Sequence, residues 1–560
     1  MALFIVVSLL WHVAVGAPDL IDEQSIKLEE ANLNKKVENV LSSLTLEQKI
    51  GQMLLYGFKG QTAEEDAAPL IKKYNLGGVI LFTRNINSEN QTVKLDEDIQ
   101  HYAINHLKIP VFISIDQEGG KVLRIQNFGT VLPGNMNLGA TRSPTLSFLA
   151  GKLTSVDLEM LGINMNLAPV LDVNTSAKNE VIGVRSFGSD PDMVAVLGSS
   201  YIRGIQSRKV SATAKHFPGH GNTSGDSHFE IMSINRTLDE LKRYDLKPFY
   251  EAIKNGVDAI MTAHISVPSI DPSGLPATLS NKIITGLLRN EMGYNGLIIT
   301  DDMEMRPVTK DWPIGKSATQ AILAGCDMVI VVWTDSAKEE VYNSILSAVK
   351  NNLITQSRID ESVRRILRVK FKRQLFDNTP DPNIAQIKRV VGNKFHQQIS
   401  HLIAQKSITI VKNMKHIIPL VNKKEQFIVL SPFSYLSKEL NDSGLNNNLI
   451  KMDVKLDKSQ RDRIINEALS YQYKTDAYIV AVIDDSQAQI AKALKQKSRI
   501  PVIVASLDSP YIYSTVKDAD AYLCAYSFRT QALRALARVI TGQATADGIL
   551  PVYIEKTPAL

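Results

Sequence analysis

Gly296-Leu297-Ile298-Ile299-Thr300-Asp301-Asp302-Met303 is apolar on both faces until it stops on two adjacent carboxylates. Such a strand belongs inside a sheet that is covered on each side, as parallel strands are. The same ending recurs along the chain. The strand candidate Val111–Asp116 closes on Asp116, Ser211–His216 on Lys215-His216, and Asp258–His264 on His264. Taken singly, each is a polar residue capping the next helix. Together they suit a (β/α)8 barrel, whose strand ends converge on one mouth, better than an open doubly wound sheet, whose ends spread along an edge.

Working outward from these strands, Met53–Tyr56, Gly78–Phe82, Asn164–Val173 and Asp327–Trp333 complete the set of candidates. Helical stretches lie between them, among them Pro144–Leu161, Pro191–Ser207, Leu238–Asn255 and Ile314–Ala324. The expected fold class is α/β, a TIM-type barrel over residues 25–375. Phe376-Asp377-Asn378-Thr379-Pro380-Asp381-Pro382 begins a linker expected over residues 376–395. Residues 396–560 then read as a smaller α/β sandwich. Its strands are Ser407–Lys412, Gln426–Leu430, Ala477–Val482, Pro501–Ser506 and Ala521–Tyr526.

At 560 residues the chain is too long for one hydrophobic core. Hydrophobic residues at 44% and charged residues at 22% exclude a disordered or fibrous protein. A net charge of +5 is too thin a surplus for nucleic acid to be the main partner. The basic run from Arg364-Arg365 to Lys370-Phe371-Lys372-Arg373 reads as a solvated helix face. Cys326 and Cys524 sit in apolar runs and are expected as buried free thiols. Residues 1–17, MALFIVVSLLWHVAVGA, resemble a secretory signal peptide without the usual basic start, and are short for a spanning helix. Export to the periplasm or medium is the expectation, with an uncleaved anchor or a mis-assigned start as alternatives. No other segment could span a membrane.

Chemistry concentrates in Lys215-His216-Phe217-Pro218-Gly219-His220-Gly221-Asn222-Thr223-Ser224-Gly225-Asp226-Ser227-His228. His216 and His220 have the spacing of a helical zinc motif, but Pro218 and Gly219 argue against a helix. A metal-dependent hydrolase using His216, His220, Asp226 and His228 remains one reading. The other starts from Asp226 and His228, two apart on an extended segment and so on one side. A carboxylate there fixes the imidazole tautomer and raises its basicity, which suits a proton donor and acceptor. Asp301 and Asp302 offer a nucleophile with its support, metal ligands, or a helix cap. Asp116-Gln117-Glu118-Gly119-Gly120 provides an acceptor for sugar hydroxyls beside a close backbone approach. Arg185 supplies a planar donor fork.

Taken together, these blocks resemble glycoside hydrolase family 3, in its β-N-acetylglucosaminidase branch. Lys215 to Gly221 continuing into Asp226-Ser227-His228 is similar to that branch's signature. Asp116 to Gly120, Arg185-Ser186-Phe187 and Thr300-Asp301-Asp302-Met303 resemble further family blocks, and Ala505 to Tyr511 and Gly548 to Val552 more loosely resemble its C-terminal domain. The resemblance implies a retaining double displacement without a cofactor. Asp301 would be the nucleophile and His228, oriented by Asp226, the acid/base. Asp116, Arg124, Arg185, Lys215 and His216 would bind the terminal sugar, and His264 joins them from its strand-end position. The implied substrate is non-reducing terminal N-acetylglucosamine on peptidoglycan fragments or chitin oligosaccharides. Alternatives are a β-glucosidase of the same family, a phosphorolytic variant, or a non-catalytic carbohydrate-binding barrel. Asn222 and Arg306-Pro307 depart from the pattern of the relatives.

Overall fold

The computed structural model describes residues 23–223, 231–377, 384–422 and 424–554. Eight parallel strands close into a barrel: Leu54–Gly57 (β1), Gly78–Leu81 (β2), Phe112–Ile115 (β3), Met165–Asn166 (β4), Ser211–Phe217 (β5), Ala259–Thr262 (β6), Leu297–Asp302 (β7) and Met328–Val331 (β8). Each strand pairs with its neighbours in sequence, and β8 returns to β1. The (β/α)8 expectation is therefore borne out. Strand interiors are buried throughout, which explains their apolar character on both faces.

Helix boundaries follow their start and stop signals. Pro144–Leu161 begins after Ser143, whose side chain accepts from the Leu146 N–H, and ends on Gly162 at φ 91°. Pro191–Gln206 begins after Asp190, which accepts from two N–H groups.

One helix and one strand of the barrel differ from expectation. The stretch Leu238–Asn255 forms two helices, Leu238–Arg243 and Lys247–Lys254, because Pro248 cannot donate within a continuous helix and instead sits in the first turn of the second. The candidate Asn164–Val173 is regular only over Met165–Asn166, since Pro169 has no N–H for the ladder. Its remainder still follows β5, with the Leu171 N–H donating to the Lys215 carbonyl at 2.6 Å.

The N-terminal end of the barrel is held by ion pairs. Asp258 pairs with Lys372 and Arg373, and Asp327 with Arg289 and Arg365. Lys370 is fully buried and donates to Gln52 at 2.8 Å. Much of the basic run expected on a solvated face is thus turned inward. A solvated face and a buried ionic one have the same sequence spacing.

The second domain carries the sheet Thr409–Asn413 (β9), Phe427–Ser431 (β10), Asn447–Lys451 (β11), Ala477–Val482 (β12), Val502–Ser506 (β13) and Ala521–Cys524 (β14). Its order is β9-β14-β13-β12-β10-β11, parallel except where β9 meets β14. Alternate residues feed two cores: Tyr478, Val480 and Val482 on one face, Ala477, Ile479 and Ala481 on the other. The edge strand β11 was not expected from the sequence. Only Asn447 and Ile450 are buried in it, too few to mark a strand by pattern. Residues 376–395, expected as linker, include the helix Ile384–Val390 with Ile387 buried. Cys326 and Cys524 are buried free thiols. No described helix is long and apolar enough to cross a membrane.

Candidate active site

The C-terminal ends of the strands gather most of the expected residues around Lys215. This ammonium is 2% exposed and lies 2.7 Å from both Asp116 and Glu118. Burial alone would lower its pKa, but the two carboxylates overcome that and raise it, so Lys215 is charged. Arg185 meets Glu118 through two parallel bonds, Nε at 2.9 Å and Nη2 at 2.8 Å. Burial pushes the Glu118 carboxyl upward, yet Arg185 and Lys215 together bring it far below the usual carboxylate range. Arg124 reaches Asp116 at 3.4 Å.

Two breaks in strand register serve this arrangement. The pairing of β5 with β6 shifts between Ala214 and Phe217, and that of β7 with β8 shifts between Ile299 and Asp302. Such bulges re-aim side chains beside active sites. Lys215 and His216, which a regular strand would send to opposite faces, thereby both find partners at the mouth. The Lys215-His216 peptide is cis. His216 Nδ1 lies 2.7 Å from Asp172, which also accepts the backbone N–H groups of His216 at 3.1 Å and His220 at 2.6 Å. Burial raises the Asp172 carboxyl, but His216 and the His220 N–H outweigh it, leaving Asp172 ionised. His220 is held neutral, lowered to about 4 chiefly by burial, with Nδ1 3.0 Å from the Thr223 hydroxyl.

Asp301 and Asp302 face different surroundings. Burial raises Asp301, but His216, His264, the Asp302 N–H and Lys215 together lower it below its ordinary value. It is a carboxylate looking onto the cations of the mouth. Burial, with Glu304 and Asp301 nearby, lifts Asp302 to about 7, and its Oδ1 accepts from the Glu304 N–H at 3.1 Å. At neutral pH Asp301 is therefore ionised, while Asp302 is only partly so. His264 is engaged with the fold: Nδ1 lies 2.8 Å from Thr278 and Nε2 lies 3.0 Å from the Asp302 carbonyl. Expected from its strand-end position to bind sugar, it stands at the mouth close enough to act on Asp301 while also bracing the end of β7.

Asp226 and His228 lie outside the described residues. Among the described residues no three His, Cys, Asp or Glu side chains converge as metal ligands. His216 meets Asp172 through Nδ1, and the His216 and His220 ring centroids are 6.1 Å apart.

The sequence reading gave Glu118 and Asp172 no role. Glu118 stands two residues after Asp116, which puts both on one side of an extended segment. Asp172 closes an apolar run as the other strand-end residues do. The rim between β2 and β8 was also missed. There Phe82 and Trp333 lie 5.2 Å apart, with the Arg84 guanidinium 4.7 Å and 4.5 Å from their rings.

A family model described as the glycosyl hydrolase family 3 N-terminal domain matches residues 45–369. The beta-hexosaminidase A of Pseudoalteromonas piscicida is 30% identical, over 91% of this chain and 97% of that protein. A beta-hexosaminidase of Nitrosomonas eutropha is 36% identical, over 52% of this chain and 84% of its own length. Among solved structures, a glycoside hydrolase family 3 beta-N-acetylglucosaminidase from Paenibacillus sp. str. FPU-7 superposes with a TM-score of 0.87 at 35% identity, covering 92% of this chain and 100% of that one.

Proposed function

This chain belongs to glycosyl hydrolase family 3, and on that premise we propose that it is a retaining exo-β-N-acetylglucosaminidase. It removes non-reducing terminal N-acetylglucosamine from peptidoglycan fragments or chitin oligosaccharides. The observation that carries the reading is the ionised Asp301 beside a cluster of paired carboxylates and cations. The carboxylates Asp116, Glu118, Asp172 and Asp301 are interleaved with Lys215, Arg124, Arg185 and the His216 ring. An uncharged sugar entering such a cluster meets fixed donors and acceptors that are already paired with one another.

Asp116, Arg124, Lys215, Arg185 and His216 hold the ring hydroxyls. An Asp301 oxygen attacks the anomeric carbon as the bond to the departing oxygen breaks, and His228, oriented by Asp226, protonates that oxygen. Water then gives a proton to His228, attacks the same carbon and frees Asp301. The roles of His228 and Asp226 rest on the family resemblance of their segment.

Rates on nitrophenyl N-acetylglucosaminide and nitrophenyl glucoside test the assignment. A strong preference for the N-acetylated substrate is expected, and preference for glucoside overturns it. We also propose that residues 1–17 export the chain. Protein recovered outside the cytoplasm then begins after Ala17, whereas cytoplasmic protein retaining Met1 contradicts export.

A further inference from the structure

We propose that the second domain sets the geometry of the sugar-binding cluster by gripping its two supporting loops, with Arg529 and Tyr511 as positioning residues for Glu118 and Arg185. The proposal rests on the glycosidase reading for its kinetic consequences. Among the described residues, the ion pairs around Lys215 are made by the barrel alone. The backbone that carries them is held within the barrel, by Asn166 on Gln117 and by Leu132 on Gly120, and is gripped a second time from the other domain.

Glu118 sits in a hairpin whose strands are Gln117–Gly119 and Val122–Leu123. Its turn, Gly119-Gly120, lies at φ 87° and 57°, where glycine is favoured, and a Cβ on Gly120 would come 2.6 Å from the Pro133 carbonyl. Glycines bring no side chains to fasten this turn; the Gly120 N–H donates to the Leu132 carbonyl at 2.9 Å, and the second domain takes the carbonyl side. The Gly120 carbonyl accepts from Arg529 Nε at 2.7 Å, and Arg529 Nη1 reaches Gln126 at 3.4 Å. Next to it, Lys121 pairs with Asp508 at 3.4 Å.

Arg185 rides on the loop from Asn174 to Ser189, which is bracketed in the same way. The Asn174 carbonyl accepts from the Tyr511 hydroxyl at 3.1 Å, and the Ser189 N–H donates to the Pro551 carbonyl at 3.0 Å. Val184, one residue before Arg185, is buried within the second domain's own core with Tyr522 and Tyr526. The Arg185 carbonyl accepts from Asn135, whose helix Asn135–Thr141 is docked through Asn137 on Ser407 and the Ala525 carbonyl, both at 2.8 Å. Both halves of the Glu118–Arg185 pair therefore stand on backbone anchored to the second domain. A shift of about 1 Å in groups that orient a substrate costs about a hundredfold in rate.

The test uses the full chain with Arg529→Ala, Arg529→Lys and Tyr511→Phe. The first is expected to lower kcat/KM on nitrophenyl N-acetylglucosaminide about tenfold, mostly through KM, because sugar-binding groups are displaced. Lysine, which can still donate to the Gly120 carbonyl, is expected to recover most of that loss. In a Glu118→Gln background, Arg529→Ala is expected to cost less than about twofold more, since both act through one group. Amide hydrogen exchange at residues 117–125 is expected to rise in Arg529→Ala while β13 stays protected. Unchanged exchange and kinetics overturn the proposal, as does a loss that adds in full to that of Glu118→Gln. Tyr511→Phe, which removes one hydroxyl, carries the same test at Arg185 if Arg529→Ala does not fold. If the wild-type chain turns over no N-acetylglucosaminide, the glycosidase reading fails, and the exchange measurement still decides the grip.

Discussion

Glu118→Gln keeps the shape of the side chain and removes its charge. Glu118 is 3% exposed and answers three donor contacts, two from Arg185 and one from Lys215. A glutamine oxygen can still accept, but its NH2 would point a donor at one of two buried cations. Lys215 would keep its ion pair with Asp116, and Arg185 its bond to the Val181 carbonyl at 3.1 Å. Breaking a buried ion pair from one side costs about 3–5 kcal/mol, because the remaining charge stays desolvated. We expect the barrel's urea transition at neutral pH to fall by about that amount. If about 3 kcal/mol of it is also lost from transition-state binding, kcat/KM falls about a hundredfold. The pH dependence has a definite sign. The folded pKa of Glu118 lies below its ordinary value of 4.5, so its stabilisation is fully present above that value. It is lost as pH falls through the folded pKa. The stability gap between wild type and variant is thus flat from about pH 6 to 8 and closes below about pH 4.5. A gap under about 1 kcal/mol at neutral pH, or one that widens on acidification, refutes the assigned role.

His228→Ala should lose more rate on N-acetylglucosaminides with poor leaving groups than on nitrophenyl substrates, since only the former need protonation. Equal losses would remove His228 as the general acid. Asp302→Asn should leave covalent labelling intact and stabilise the fold at higher pH. Because burial lifts the Asp302 carboxyl to about 7, wild type loses stability as pH rises from about 4 to 7, and the variant does not. Melting curves at pH 5 and 8 that give the same difference would contradict this. Exhaustive chelation should leave turnover unchanged, whereas loss that zinc restores would favour the metal-loop reading of His216, His220, Asp226 and His228.

The barrel was legible because its strands announce themselves twice, by apolar character on both faces and by the polar residue at each C-terminal end. Asp116, Lys215, His216 and Asp301 were found in that way, and the structure brings them to one mouth. The choice between Asp301 and Asp302 was not legible from spacing. It depends on which carboxylate faces His216 and Lys215 and which faces Glu304, a matter of tertiary placement. Glu118 and Asp172 escaped for the same reason. Each looks like an ordinary acidic residue until Arg185 and Lys215, or His216 and the His220 N–H, arrive from distant parts of the chain. The break at Pro248 was visible in the sequence and was overridden by the helical pattern around it. The edge strand β11 offered too little buried surface to be seen.

Incubation with a fluorinated N-acetylglucosaminyl substrate that forms its covalent intermediate quickly and hydrolyses slowly, followed by peptide mapping, tests the nucleophile directly. One sugar equivalent attached to Asp301, absent in Asp301→Ala, is the expected result. Label on Asp302, or turnover with no covalent adduct at any time, contradicts the double displacement on Asp301.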